Sequence, residues 1–129
     1  MKRLALLALS LALVPAASAQ RVTGLSNWSI VLDPGIGFGK TPEQNVELLA
    51  RLPELAAEFP DFPLLTGTSR KSFIGRLLGG APVGERLHGT MATVTAAVLG
   101  GAHVVRAHDV RAAVETVRVA DAIRAAAGR

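Results

Sequence analysis

Residues 30–40, Ile-Val-Leu-Asp-Pro-Gly-Ile-Gly-Phe-Gly-Lys, limit what this chain can fold into more than any other stretch. A short apolar run ends in a carboxylate. Next comes a proline that cannot donate to a sheet ladder, and then glycines 35, 37 and 39, which tolerate backbone angles closed to other residues. This pattern predicts a strand that delivers Asp33 to its C-terminal end and opens into a loop, where α/β folds place their chemistry. The run from Trp28 to Asp33 is continuous rather than alternating, as in a strand covered on both faces. A helix follows, with Thr41 as N-cap, Pro42 at the first helical position and Gln44 completing a Thr-x-x-Gln capping box.

Two further units repeat the theme. Val46, Leu49, Ala50, Leu52 and Leu55 recur at helical spacing, and Pro53 should kink or divide that helix. Residues 58–63 form a turn, and Leu64-Leu65 leads as a strand into Thr66-Gly67-Thr68-Ser69-Arg70-Lys71-Ser72. A short helical piece over residues 73–78 and a loop over 79–82 come next. A longer helix over about 84–99 then carries Met91, Val94, Val98 and Leu99 on its apolar side. Gly100-Gly101 can supply its left-handed cap. The third strand occupies residues 103–109, and Asp109 can cap a closing helix whose Val110, Val114 and Val117 repeat at intervals of four and three. A βαβαβα order with short connections predicts a parallel sheet.

The chain of 129 residues allows one domain. Residues 1–19 read differently: Lys2 and Arg3, a leucine/alanine run from Leu4 to Leu13, then Ala17-Ser18-Ala19, the pattern of a secretory signal peptide cleaved after Ala19. A mistaken gene start or a fusion joint gives the same pattern, and the run is short for a membrane span. Losing Lys2 and Arg3 lowers the net charge from +4 to +2. No run of like charges exists and aromatic residues are few, so nucleic-acid binding is poorly supported, as is a membrane role once the leader is gone. Cysteine is absent, which excludes disulfides and thiolate zinc sites but fixes no compartment.

The strand ends carry the chemistry. Asp33 either ends a strand and caps a turn, or accepts two N–H donors from a flat heterocycle. A phosphate-loop reading of Gly39-Lys40-Thr41 fails because Pro34 stands where its first glycine belongs, and the dinucleotide pattern fails because Lys40 replaces its third glycine. Gly67, Ser69 and Lys71 alternate and share a face if the strand persists; Arg70 and Lys71 then point to opposite sides. Ser72 lies near a helix start. Arg106 and His108 alternate as well, either as part of a salt-bridged strand end or as paired donors for a phosphate or pyrophosphate. His88, His103 and His108 lack metal-ligand spacing.

At these residues the chain resembles dihydropteroate synthase of the folate pathway. Residues 33–40 look like its glycine-loop signature, and Gly67-Thr68-Ser69-Arg70-Lys71-Ser72 like its Ser-Arg-Lys motif. Glu85-Arg86 with Gly89-Thr90 resembles the next helix, and Arg106-Ala107-His108-Asp109 the last strand, with Ala107 in place of a usual valine. The similarity runs from about Trp28 to Ala125, in family order and spacing. It implies an α/β fold, a partial TIM (β/α)8 barrel made of three consecutive βα units with parallel strands, over residues 20–129. It further implies a transferase that joins p-aminobenzoate to 6-hydroxymethyl-7,8-dihydropterin pyrophosphate and releases pyrophosphate, usually with Mg²⁺.

By resemblance, Asp33 bonds the pterin ring and Lys71 reaches it from the opposite strand, with Gly67 and Ser69 beside it. Phe38 and Ser72 border the aminobenzoate. Arg106 and His108 hold the pyrophosphate and, with Lys71, stabilise charge as it leaves. The family's Asn-x-Thr-x-Asp-Ser-Phe-Ser and Gly-Glu-Ser-Thr-Arg-Pro loops, which carry the metal ligand and close over the second substrate, have no match in this sequence. A barrel needs about 250 residues, and three units leave two strand edges and one sheet face open. Weak or no activity alone is the expectation, with a homo-oligomer or a complementary N-terminal half completing the site. The family implies the cytoplasm, whereas a working leader implies export. The alternative is an exported, non-catalytic α/β module that binds a pterin or an anion.

Overall fold

The computed structural model describes residues 30–128. The leader of residues 1–19, the lead-in of 21–29 and the start of the first strand at Trp28 lie outside the described residues. The described elements are α1 (Pro42–Ala50), α2 (Leu52–Glu58), β1 (Leu65–Thr66), α3 (Ser72–Leu77), α4 (Leu87–Leu99), β2 (Val104–Val105) and α5 (Val110–Ala127), with a 3-10 turn over Val83–Glu85. None of the described helices is long and apolar enough to cross a membrane.

The sheet is parallel, as expected. β1 pairs with β2 in the register Leu65–Val104 and Thr66–Val105. On the other side of β1, Leu32 forms a parallel bridge with Leu64, its N–H donating to Pro63 O at 2.9 Å and its carbonyl accepting from Leu65 N at 2.8 Å. The first apolar run thus contributes one bridge rather than a long strand. Ile30 and Val31 are each 46% exposed, which corrects the expectation of a strand covered on both faces: the described residues cover these side chains only in part.

The local signals of the helices hold. Gln44 N–H donates to Thr41 Oγ1 at 3.3 Å while Thr41 N–H donates to Gln44 Oε1 at 2.8 Å, closing the capping box. α1 stops at Ala50 and α2 begins at Leu52, with Pro53 in its first turn, so the helix is divided. Gly101 takes the left-handed conformation after α4. That helix begins at Leu87 rather than near residue 84, because Pro82 and Glu85 close a tight turn first (3.0 Å).

Two apolar clusters hold the layers. Ile36, Leu48, Leu52, Leu55, Leu64, Phe73 and Ile74 pack beneath the glycine loop, and Val94, Val98 and Ala120 join α4 to α5 with Met91, Val105 and Val117 at the margin. Expected core positions are corrected on three helices. The buried face of α1 is Asn45, Leu48 and Leu49, leaving Val46 and Ala50 exposed. On α4 Leu99 is exposed, and Thr90 and Ala97 are buried instead. On α5 Ala113 and Ala120 are buried, while Val110 and Val114 line an open apolar groove of about 500 Å³ beside Val104, Val105 and Ala107.

Candidate functional site

The three chain segments deliver their polar ends to one side of the sheet. Gly67, Ser69, Lys71, Arg106, Ala107 and His108 line a cavity of about 210 Å³. The route there differs from the expected one. β1 stops at Thr66, and Lys71 N–H donates to Thr68 O at 3.1 Å, so a turn replaces the continuing strand. The turn still sends Ser69 and Lys71 to one side and Arg70 to the other. Gly67 makes room for Arg106, since a Cβ there would stand 2.9 Å from the Arg106 Nη2. Ser69 Oγ accepts the His108 N–H at 3.1 Å and lies 2.9 Å from His108 Nδ1.

The glycine loop stands across from this cavity. Asp33 Oδ1 accepts the Gly35 N–H at 2.9 Å, so the carboxylate does cap the turn. Lys71 crosses over, donating from Nζ to the Ile36 carbonyl, with its ammonium 4.6 Å from the centre of the Phe38 ring. Burial holds this ammonium below the ordinary lysine range; Asp33 opposes the shift, and repulsion from Arg106 and Lys40 adds to it. Lys40 folds back onto the carbonyls of Gly35 (2.9 Å) and Phe38 (3.1 Å). Phe38 is 65% exposed, and Ser72 sits exposed at the first residue of α3.

Asp109 departs from its expected role. It precedes α5 but makes no side-chain cap; its carboxylate instead receives Arg70 Nε at 3.1 Å and Nη2 at 2.7 Å. This fork holds the Asp109 carboxyl below its ordinary range.

One residue that organises the loop escaped the sequence reading. Asn45 is buried, accepts the Gly37 N–H at 2.6 Å, and donates from Nδ2 to Thr41 O at 2.8 Å. Its signal was positional: 45, 48, 49 and 52 form one helical face, so a polar residue there must find partners inside.

Among the described residues, no cluster of His, Cys, Asp and Glu is placed to hold a metal ion. The groups that converge on the cavity are two cations, a hydroxyl and an imidazole. That donor set suits an anion and does not fit Mg²⁺.

A family model described as pterin binding enzyme matches residues 11–108. The chain belongs to this pterin-binding family. Dihydropteroate synthases are among the proteins it is similar to. The chain is 55% identical over 94 residues to a dihydropteroate synthase of Synechocystis sp., an alignment covering 73% of this chain and 32% of that protein. The crystal structure of the Yersinia pestis dihydropteroate synthase matches with a TM-score of 0.73 at 41% identity, over 79% of this chain and 47% of that one. A dihydropteroate synthase of Coxiella burnetii in complex with pteroic acid matches with a TM-score of 0.71 at 41% identity, over 75% and 35%. The chain spans about a third of the length of the curated dihydropteroate synthases it matches.

Proposed function

We propose that this chain carries the pterin-pyrophosphate side of a dihydropteroate synthase site, built on three consecutive βα units of a TIM barrel. The convergence of Ser69, Lys71, Arg106 and His108 on one cavity at the ends of adjacent parallel strands carries this reading. In the reaction, the amine nitrogen of p-aminobenzoate attacks the exocyclic methylene of 6-hydroxymethyl-7,8-dihydropterin pyrophosphate. The new C–N bond forms as the C–O bond breaks, the electron pair leaves with the pyrophosphate oxygen, and the amine gives up a proton.

Each residue has a part in that scheme. Asp33 accepts N–H donors from the pterin, and Lys71, its stem still running along the glycine loop, reaches the ring from the other side with its ammonium. Gly67 and Ser69 shape the floor between them. Arg106 and His108 neutralise the charge that builds on the departing pyrophosphate. Phe38 and Ser72 border the place of p-aminobenzoate. Further polypeptide, from a complementary half or a second copy, completes the pocket against the apolar groove beside β2, which supports this reading by leaving Val104 and Val110 uncovered.

Inorganic pyrophosphate tests the anion side directly. Calorimetric titration is expected to give saturable binding that weakens with salt and falls by about tenfold or more in Arg106→Ala, the loss of one charge-assisted contact. Equal affinity in Arg106→Ala and the parent chain would remove Arg106 from the site.

A further inference from the structure

We infer that Arg70 is a positioning residue, which extends the register of the sheet to the mouth of the site by its fork on Asp109. Backbone pairing between β1 and β2 covers two residue pairs, Leu65–Val104 and Thr66–Val105. Beyond them side chains take over at the same offset of 39: Ser69 to His108, and Arg70 to Asp109. Two neighbours on one turn thus grip two neighbours on the next. Ser69 and His108 face the cavity, and Arg70 and Asp109 form the brace behind them. The inference rests on the reading of Lys71 and His108 as ligand groups.

Two local preferences are given up for this brace. Arg70 has φ +59°, alone among the described non-glycine residues in taking a positive φ, at the third position of the turn 68–71 where glycine is at ease. It is held there on three sides. Its N–H donates to Thr90 Oγ1 at 3.1 Å, its carbonyl accepts Arg86 Nη1 at 3.0 Å, and its guanidinium forks on Asp109. Asp109, for its part, leaves the first turn of α5 without a side-chain cap. The bridge is also partly exposed, at 39% for Arg70 and 27% for Asp109, where ion pairs add little stability. Local rules broken twice for a pair of small stabilising value point to a role in the site. With the brace in place, Lys71 leaves its turn toward the glycine loop and His108 is held against Ser69.

The test needs no ligand. In ¹⁵N-labelled chain, Arg70→Gly removes the fork while relaxing the left-handed turn, so thermal stability should stay within a few degrees of the parent. The His108 amide should exchange about tenfold faster or more, and the His108 ring nitrogen signals should lose the signature of the Ser69 contact. Asp109→Asn should act the same way, and Arg70→Lys, which keeps charge without the fork, should fall between. Amides of Leu65 and Arg106, bonded within the sheet, should not change. Unchanged His108 signals in both Arg70→Gly and Asp109→Asn would overturn the inference, and so would equal loss of protection at Leu65 and Arg106. A chain that shows the His108 change but ignores pyrophosphate would overturn the proposed function and leave the brace standing.

Discussion

Gly37→Ala is expected to weaken pterin binding by roughly ten- to a hundredfold while the chain stays folded. Gly37 has φ +86°, and an alanine held there costs roughly 1–2 kcal/mol of backbone strain. The larger effect is steric. The new Cβ would stand 2.6 Å from Lys71 Cδ and 3.2 Å from Cε, so the lysine stem has to leave its path along the loop. A displaced ammonium forfeits a charge-assisted contact worth about 1.5–3 kcal/mol, roughly ten- to a hundredfold in affinity. Gly39→Ala supplies the control. Its φ is +60°, but nothing lies within 4 Å of a new Cβ, so it carries the strain without the collision. Fluorescence titration of a pterin, run beside a thermal melt, separates the two. Both variants should lose similar stability, and Gly37→Ala alone should lose binding.

Leu64→Ala is expected to give the largest loss of stability. Leu64 is fully buried among Ile36, Leu48, Leu52 and Ile74. It also joins all three segments: its residue bridges to Leu32, and its carbonyl accepts the N–H groups of His103 (2.8 Å) and Val104 (3.0 Å). Truncating a buried leucine costs about 2–5 kcal/mol when the cavity cannot collapse. In a domain of this size that lowers the melting temperature by roughly 10 °C or more. Circular dichroism on heating measures it, and a drop below about 4 °C would contradict the description of this core.

Much of the fold was legible because its signals are local. The Thr41–Gln44 capping box, the break at Pro53 and the cap at Gly101 depend on residues a few positions apart, and each appears where the sequence put it. What failed depended on partners far along the chain. Asp109 read as a helix cap because a carboxylate before an apolar helix usually is one; Arg70, 39 residues earlier, claims it instead. Apolar spacing marked Val110 and Val114 as core, but spacing says which side chains can be covered and not what covers them. On α5 it is Ala120 that packs against α4, and Ala113 is the other buried residue of that helix.

The grouping of the cavity's side chains was legible in the sequence more than the geometry that brings them together. Alternation put Ser69 with Lys71 and Arg106 with His108, and all four line one cavity, yet the first pair is aligned by a turn and not by the extended strand that alternation assumes. Asn45 was passed over because Val46 and Ala50 offered a competing apolar stripe one residue out of phase. Its buried amide, pinning Gly37, is what gives the glycine loop a defined shape.

The most direct measurement is equilibrium binding of 6-hydroxymethyl-7,8-dihydropterin pyrophosphate to the chain from Gln20 onward, read by pterin fluorescence, with Asp33→Ala and Lys71→Ala in parallel. The expected result is saturable binding that inorganic pyrophosphate displaces and that both substitutions remove. A folded chain that binds nothing, or that binds equally well without Asp33 and Lys71, would contradict it.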